Sequence, residues 1–164
     1  MSKSEFEKQI LSLSNPLFRM AKSMLQNSDE ASDAVQDLNL KLWEKRSDLA
    51  AIENLKGFVY RSMRNLCLDV LRKRKQEGVF DEEQDYDSLN PYEQTEQRDM
   101  AKRISQLIDK LPELQRSIIR MRDVEEMDIA EIAYVTTISE NAVSVNLSRA
   151  RQKIREQLLK ELNR

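Results

Sequence analysis

Apolar residues recur three and four positions apart along most of this chain, the spacing that gathers side chains on one face of an α-helix. Before position 77 the pattern predicts three helices, at about 4–26, 29–46 and 54–76. In the second, Ala31, Ala34, Val35, Leu38 and Leu42 form a buried stripe, and Asp29 stands near the start as a cap. The third carries Leu55, Phe58, Val59, Met63, Leu66, Cys67, Val70 and Leu71, an apolar face wide enough for the central helix of a small bundle. The stretch 77–93 has few aliphatic residues and many acids, as a linker does. Beyond it four helices are expected, at about 94–109, 112–124, 128–135 and 139–161. Pro112 suits a first turn, where its missing N–H costs nothing. Asp128-Ile-Ala-Glu131 reads as a capping-box-like start, and Ser139 as the next N-cap. The expected fold is all-α, with two small helical domains (1–76 and 94–164) joined by the acidic linker 77–93.

Composition supports this reading. With 2 Gly and 3 Pro in 164 residues, helix breakers are scarce. Histidine is absent, which removes the commonest general base and metal ligand. The single Cys67 sits in an apolar helical stretch and reads as a buried structural thiol. No catalytic residue, metal site or cofactor is expected. No apolar run is long enough to cross a membrane and no apolar signal core follows the first residues, so a cytoplasmic protein without membrane insertion is expected.

Charge adds an internal asymmetry. The net charge of −2 is a poor footprint for a protein that binds DNA unaided. By segment it is −4 over 29–55, +6 over 56–76, −8 over 77–99 and +4 over 149–164. Opposite charges tethered this closely attract. A linker folded back over Arg72 to Lys75 therefore stands beside a plain solvated spacer.

The segment 128–149 has helix-turn-helix logic. Ile129, Ile132 and Ala133 face inward on a short helix, and small Ala133 lets the next helix cross closely. Ile138 anchors the turn; Val143, Leu147, Ala150, Ile154 and Leu158 line the inner side of the last helix. The opposite side carries Asn141, Ser144, Val145, Ser148 and Gln152, flanked by Arg149, Arg151 and Arg155. Short polar groups for base edges, one apolar group for a thymine methyl and flanking arginines for phosphates make a workable major-groove face. A helical hairpin with a solvated outer face is the plainer alternative.

Here the chain resembles a known family. Leu111-Pro-Glu-Leu-Gln-Arg116, Asp128-Ile-Ala-Glu-Ile-Ala133, Ser139 with Asn141-Ala-Val143, Leu147-Ser-Arg-Ala-Arg151 and Ile154-Arg155 look like domain 4 of extracytoplasmic-function (ECF) sigma factors. Asp33-Ala-Val-Gln-Asp37, Leu42-Trp43, Phe58-Val-Tyr-Arg61, Arg64-Asn65-Leu66, Leu68-Asp69 and the basic Arg72-Lys-Arg-Lys75 resemble their domain 2. The resemblance implies an alternative sigma factor whose domain 2 docks on core RNA polymerase and opens the minus-10 element of promoter DNA, while domain 4 reads the minus-35 element. It also leaves open an anti-sigma factor as a partner.

On this resemblance Asp33, Gln36, Asp37, Leu40 and Glu44 are the candidate polymerase-binding residues, with apolar Leu40 ringed by polar groups as at a docking site. Arg61, Arg64, Asn65, Arg72, Lys73 and Arg74 are the minus-10 candidates, able to track phosphates and contact unpaired bases. Ser139, Asn141, Ser144, Val145, Ser148, Arg149 and Arg151 are the minus-35 candidates. Trp43 reads as partly buried. Three positions depart from the family pattern. Thr137 stands at the turn usually held by Gly, so either the turn is strained or its geometry differs. Glu126 also replaces a frequent Gly. Ser144 and Asn146 replace frequent basic residues, which weakens any phosphate contact there.

Three other classes compete. A regulator acting without polymerase would bind duplex DNA tightly by itself, against the net charge of −2. An enzyme could use Asp33 and Asp37 on a divalent metal, although two carboxylates on an exposed helix are usually surface charge. A helical adaptor would bind neither DNA nor polymerase.

Overall fold

A computed structural model describes residues 1–78 and 96–163. The acidic stretch read as a linker falls outside them apart from Glu77 and Gly78, and with it the fold-back over Arg72 to Lys75. The described residues are helical, with α1 (Lys3–Gln9), α2 (Ser14–Leu25), α3 (Ser28–Glu44), α4 (Arg46–Leu49) and α5 (Leu55–Gln76) before the gap. After it come α6 (Glu96–Asp109), α7 (Glu113–Ile119), α8 (Ile129–Thr136) and α9 (Glu140–Leu162).

The helix expected at 4–26 is two helices with a 3₁₀ turn, Leu11–Leu13, between them. Pro16 gives the reason. It has no N–H for the carbonyl four residues back, and its ring would clash there, so it sits in the first turn of a fresh helix. The second start is also shifted: Asn27, not Asp29, caps α3, its side-chain oxygen accepting from the Glu30 N–H at 2.9 Å. Asn54 caps α5 through the Gly57 N–H at 3.1 Å. A Cβ on Gly57 would lie 2.5 Å from the Asn54 amide nitrogen, so this cap needs glycine there.

The helix expected at 112–124 begins at Glu113 after Pro112 and widens into a π-helical turn at Arg120–Val124. There the Glu125 N–H reaches the Arg120 carbonyl at 3.0 Å. Asp128 and Ser139 both cap as expected, accepting from the N–H groups of Glu131 (2.8 Å) and Ala142 (3.0 Å).

All five residues of the α3 stripe are buried, and so are Val59, Met63 and Cys67 of α5. Burial pushes the Cys67 thiol up to about 12, so it stays protonated and inert. In the C-terminal half, Ile118, Ile132, Val135, Val143 and Ala150 are almost wholly inaccessible. The turn between α8 and α9 keeps the geometry a glycine would give: Thr137 adopts φ 60° and ψ 34°, the left-handed region. Glu126, the other glycine replacement, has φ 57°.

The two halves do not sit apart. α5 packs against α8 and α2 against α7, so the N-terminal bundle lies on the first helix of the helix-turn-helix and on α7 before it.

Candidate DNA and polymerase interfaces

Three helical faces hold the residues singled out by sequence. On α3 the buried stripe turns Asp33, Gln36, Asp37 and Glu44 to solvent. Leu40 stands among them, 58% exposed. An apolar side chain this open on an otherwise charged face is what a partner's apolar pocket can take up. The Asp37 carboxylate pairs with Lys41 at 3.1 Å, one turn along. Trp43 is half-buried, edge-on to Phe6 with ring centres 5.1 Å apart and under the Arg46 guanidinium at 4.0 Å.

On α5 the six candidates divide. Asn65, Arg72 and Lys73 are exposed, Arg72 meeting only Asp69 one turn back at 3.1 Å. Arg74 is engaged, donating to the Leu25 carbonyl at 3.0 Å and pairing with Glu30. It thereby satisfies an orphan carbonyl at the end of α2 and ties that end to the first turn of α3.

Arg61 lies over the Tyr134 ring of α8, 5.1 Å from its centre, within cation–π range. Arg64 is buried. Its guanidinium donates twice to Glu113 of α7, at 2.6 and 3.0 Å, in the fork-on-carboxylate arrangement of a strong ion pair. Ser117 donates to the same carboxylate at 2.8 Å. Burial pushes the Glu113 carboxyl up, but Arg64, the Ser117 hydroxyl and the Arg116 charge outweigh it and hold Glu113 below the usual carboxylate range.

On α9, Asn141, Ser144, Val145, Ser148 and Arg149 form one exposed row opposite Val143, Leu147 and Ala150. Ser139 begins the row but spends its hydroxyl as the cap. Arg151 lies at the edge, holding Asp123 at 2.5 and 3.1 Å. Asn146 is turned back, donating its amide to the Ala142 carbonyl at 2.8 Å. The row is continuous for nearly three turns, with an apolar group at its centre.

Reading the sequence did not find Glu113, Tyr134, Glu125 or Gln26, which tie the two halves together. The available signal was faint. Glu113 follows a proline at a helix start, where an acid is expected for the helix dipole alone. Tyr134 is a large aromatic left 38% exposed on the first helix of the helix-turn-helix.

Comparison with known proteins places the fold in a family. Residues 10–77 match the family model for sigma-70 region 2, and residues 101–154 match that for sigma-70 region 4. The chain is 31% identical over 144 residues to the RNA polymerase sigma factor SigV of Bacillus subtilis, covering 88% of this chain and 85% of that one. It is 24% identical over 154 residues to the ECF RNA polymerase sigma factor SigW of the same organism, covering 87% and 82%. Among solved structures, the sigma factor RpoE of Bartonella quintana, crystallised with the anti-sigma factor NepR, superposes with a TM-score of 0.75 at 26% identity. That match covers 94% of this chain and 96% of RpoE.

Two sigma-70 regions in this order, on an all-helical fold that ends in a helix-turn-helix, define a transcription initiation factor. The chain belongs to the ECF sigma factors of the sigma-70 family. It is an alternative sigma factor, which binds core RNA polymerase and directs transcription initiation at promoter DNA.

Proposed function

We propose that the work divides between an N-terminal domain, 1–76, and a C-terminal domain, 94–164, with 77–93 as the linker. The N-terminal domain docks on core polymerase through the α3 face of Asp33, Gln36, Asp37, Leu40 and Glu44, with Leu40 as the apolar anchor. Its α5 surface, from Arg61, Arg64 and Asn65 to Arg72, Lys73 and Arg74, holds the opened minus-10 strand. The C-terminal domain lays α9 in the major groove of the minus-35 element. There Asn141, Ser144 and Ser148 meet base edges, Val145 meets a thymine methyl, and Ser139, Arg149 and Arg151 hold the backbone.

The observation that carries this reading is the exposed α9 row, whose short polar, apolar and cationic groups suit a groove and serve no packing purpose in the fold. The chain catalyses nothing itself in this reading, and it acts in the cytoplasm, where polymerase and promoter are. An anti-sigma factor is a further partner, by analogy with RpoE, which was crystallised with one.

Run-off transcription with purified core polymerase on a library of promoter fragments tests the whole reading. Specific transcripts that need this chain are expected, and their aligned start regions give both promoter elements. Equal transcription with and without the chain would refute it.

A further inference from the structure

We propose that the free protein latches the Arg61–Arg64 part of its own minus-10 surface, Glu113 of the C-terminal half occupying the Arg64 guanidinium and Tyr134 covering one face of Arg61 until the two halves part. This rests on the role given above to Arg61 and Arg64, and adds that the C-terminal half controls access to it.

Four observations meet at this point. Arg64 has 7% of its side chain exposed and spends two donors on one carboxylate 49 positions away. Its neighbour one turn earlier, Arg61, is stacked by an aromatic from α8. While these partners stay, the Arg64 guanidinium is closed to a phosphate or base, and one face of the Arg61 guanidinium is covered. By contrast the α9 row remains exposed in the same structure, so the closed form masks one DNA surface and leaves the other open.

The closure is also built to be released. Beside the apolar Met20, Tyr60, Met121 and Val124 that meet there, two further polar contacts join the halves: Arg19 on Glu125 at 2.6 Å, with Arg19 half exposed, and the Gln26 amide on the Asp109 carbonyl at 2.8 Å. Between the halves lies a cavity of about 200 Å³. Ser23 Oγ and Arg120 Nε, of two residues that line it, are buried without a protein partner. The cavity and the unsatisfied groups make the halves cheaper to part than a fully packed and satisfied interface would be. A tethered carboxylate outcompetes a dilute strand by its high effective concentration. A partner that binds only the open form moves the equilibrium the other way.

The test uses the full chain with spin labels at Asp48→Cys and Glu156→Cys, two exposed sites on opposite halves, Cys67 being buried and inert. Glu113→Arg places two cations face to face and is expected to lengthen the interhalf distance. It is also expected to raise affinity for a fluorescent single-stranded DNA pool of random sequence by about tenfold or more, since the open fraction limits apparent affinity. Binding of a random duplex pool should change far less. Glu113→Gln, milder for the helix start, should move both readouts the same way by less. The double variant Arg64→Glu with Glu113→Arg should restore the short distance but not the single-strand binding.

An unchanged distance in both Glu113 variants overturns the latch. A longer distance without any gain in single-strand binding overturns the masking. In that second case run-off transcription by Arg64→Ala still decides separately whether Arg64 serves the promoter at all.

Discussion

Thr137 turns the chain between the two helices of the helix-turn-helix at φ 60°, in a region that favours glycine. Replacing it with glycine removes the contact of Cβ with the following carbonyl, a cost of about 1–2 kcal/mol for an L-residue. Against this, glycine frees the unfolded chain, which costs about 0.4–1 kcal/mol. The Thr137 hydroxyl donates only to the carbonyl of Thr136 beside it, at 2.6 Å, and the residue is exposed, so water replaces that bond. Thr137→Gly is therefore expected to stabilise the C-terminal half by about 0.5–1 kcal/mol. For a unit of this size that raises Tm by roughly 2–8 °C. Thermal and urea unfolding followed by far-UV circular dichroism would measure it, with hydrogen exchange of α8 and α9 amides locating it. Because the backbone already holds the glycine geometry, promoter preference should not change. A lower Tm would refute the reasoning, showing that the threonine side chain contributes more than its backbone position costs.

Leu40→Asp should abolish binding to core polymerase with helicity intact, because docking would have to desolvate a carboxylate; pull-down of polymerase at the wild-type level would count against the α3 face. Arg149→Ala should weaken binding nearly evenly across promoter sequences, whereas substituting a base read by Asn141 or Ser148 should cost about 1–3 kcal/mol at that position alone. A change in preferred base on removing Arg149 would reverse the assignment. The Arg64–Glu113 contact should also respond to acid. Glu113 is held below its ordinary value of 4.5, so its contribution is fully present above that pH and is lost as pH falls through the depressed value. It faces Arg64 and Cys67 from α5 and Arg116 and Ser117 on its own helix. The interhalf distance should therefore lengthen as pH falls below 4.5 through that depressed value, and Glu113→Gln should remove that step. A distance that shortens on acidification would contradict it.

What the amino-acid pattern determined by itself is local and periodic. Spacing of Ala31, Ala34, Val35, Leu38 and Leu42 dictates which side of α3 is buried, and therefore that Asp33, Asp37 and Leu40 point outward, because helix geometry links the two faces rigidly. Asp128 and Ser139 determine where α8 and α9 begin, since a cap needs only a side-chain oxygen and an N–H three residues on. The exposed row of α9 was legible for the same reason. Helix breaks were less so: Pro16 was visible, but whether a proline ends a helix or opens the next one depends on what the following turn packs against.

Tertiary structure decided which charges are free. Arg64 and Arg72 stand on the same helix among the same basic residues, and no local rule tells them apart. Arg72 faces solvent, while Arg64 faces a carboxylate that the fold brings from another helix. Periodicity states the direction in which a side chain leaves its helix but carries no information about what lies opposite. The docking of α5 on α8 and α2 on α7 therefore had to be seen before the arginines of one surface could be sorted into those that hold the fold closed and those that remain open to DNA.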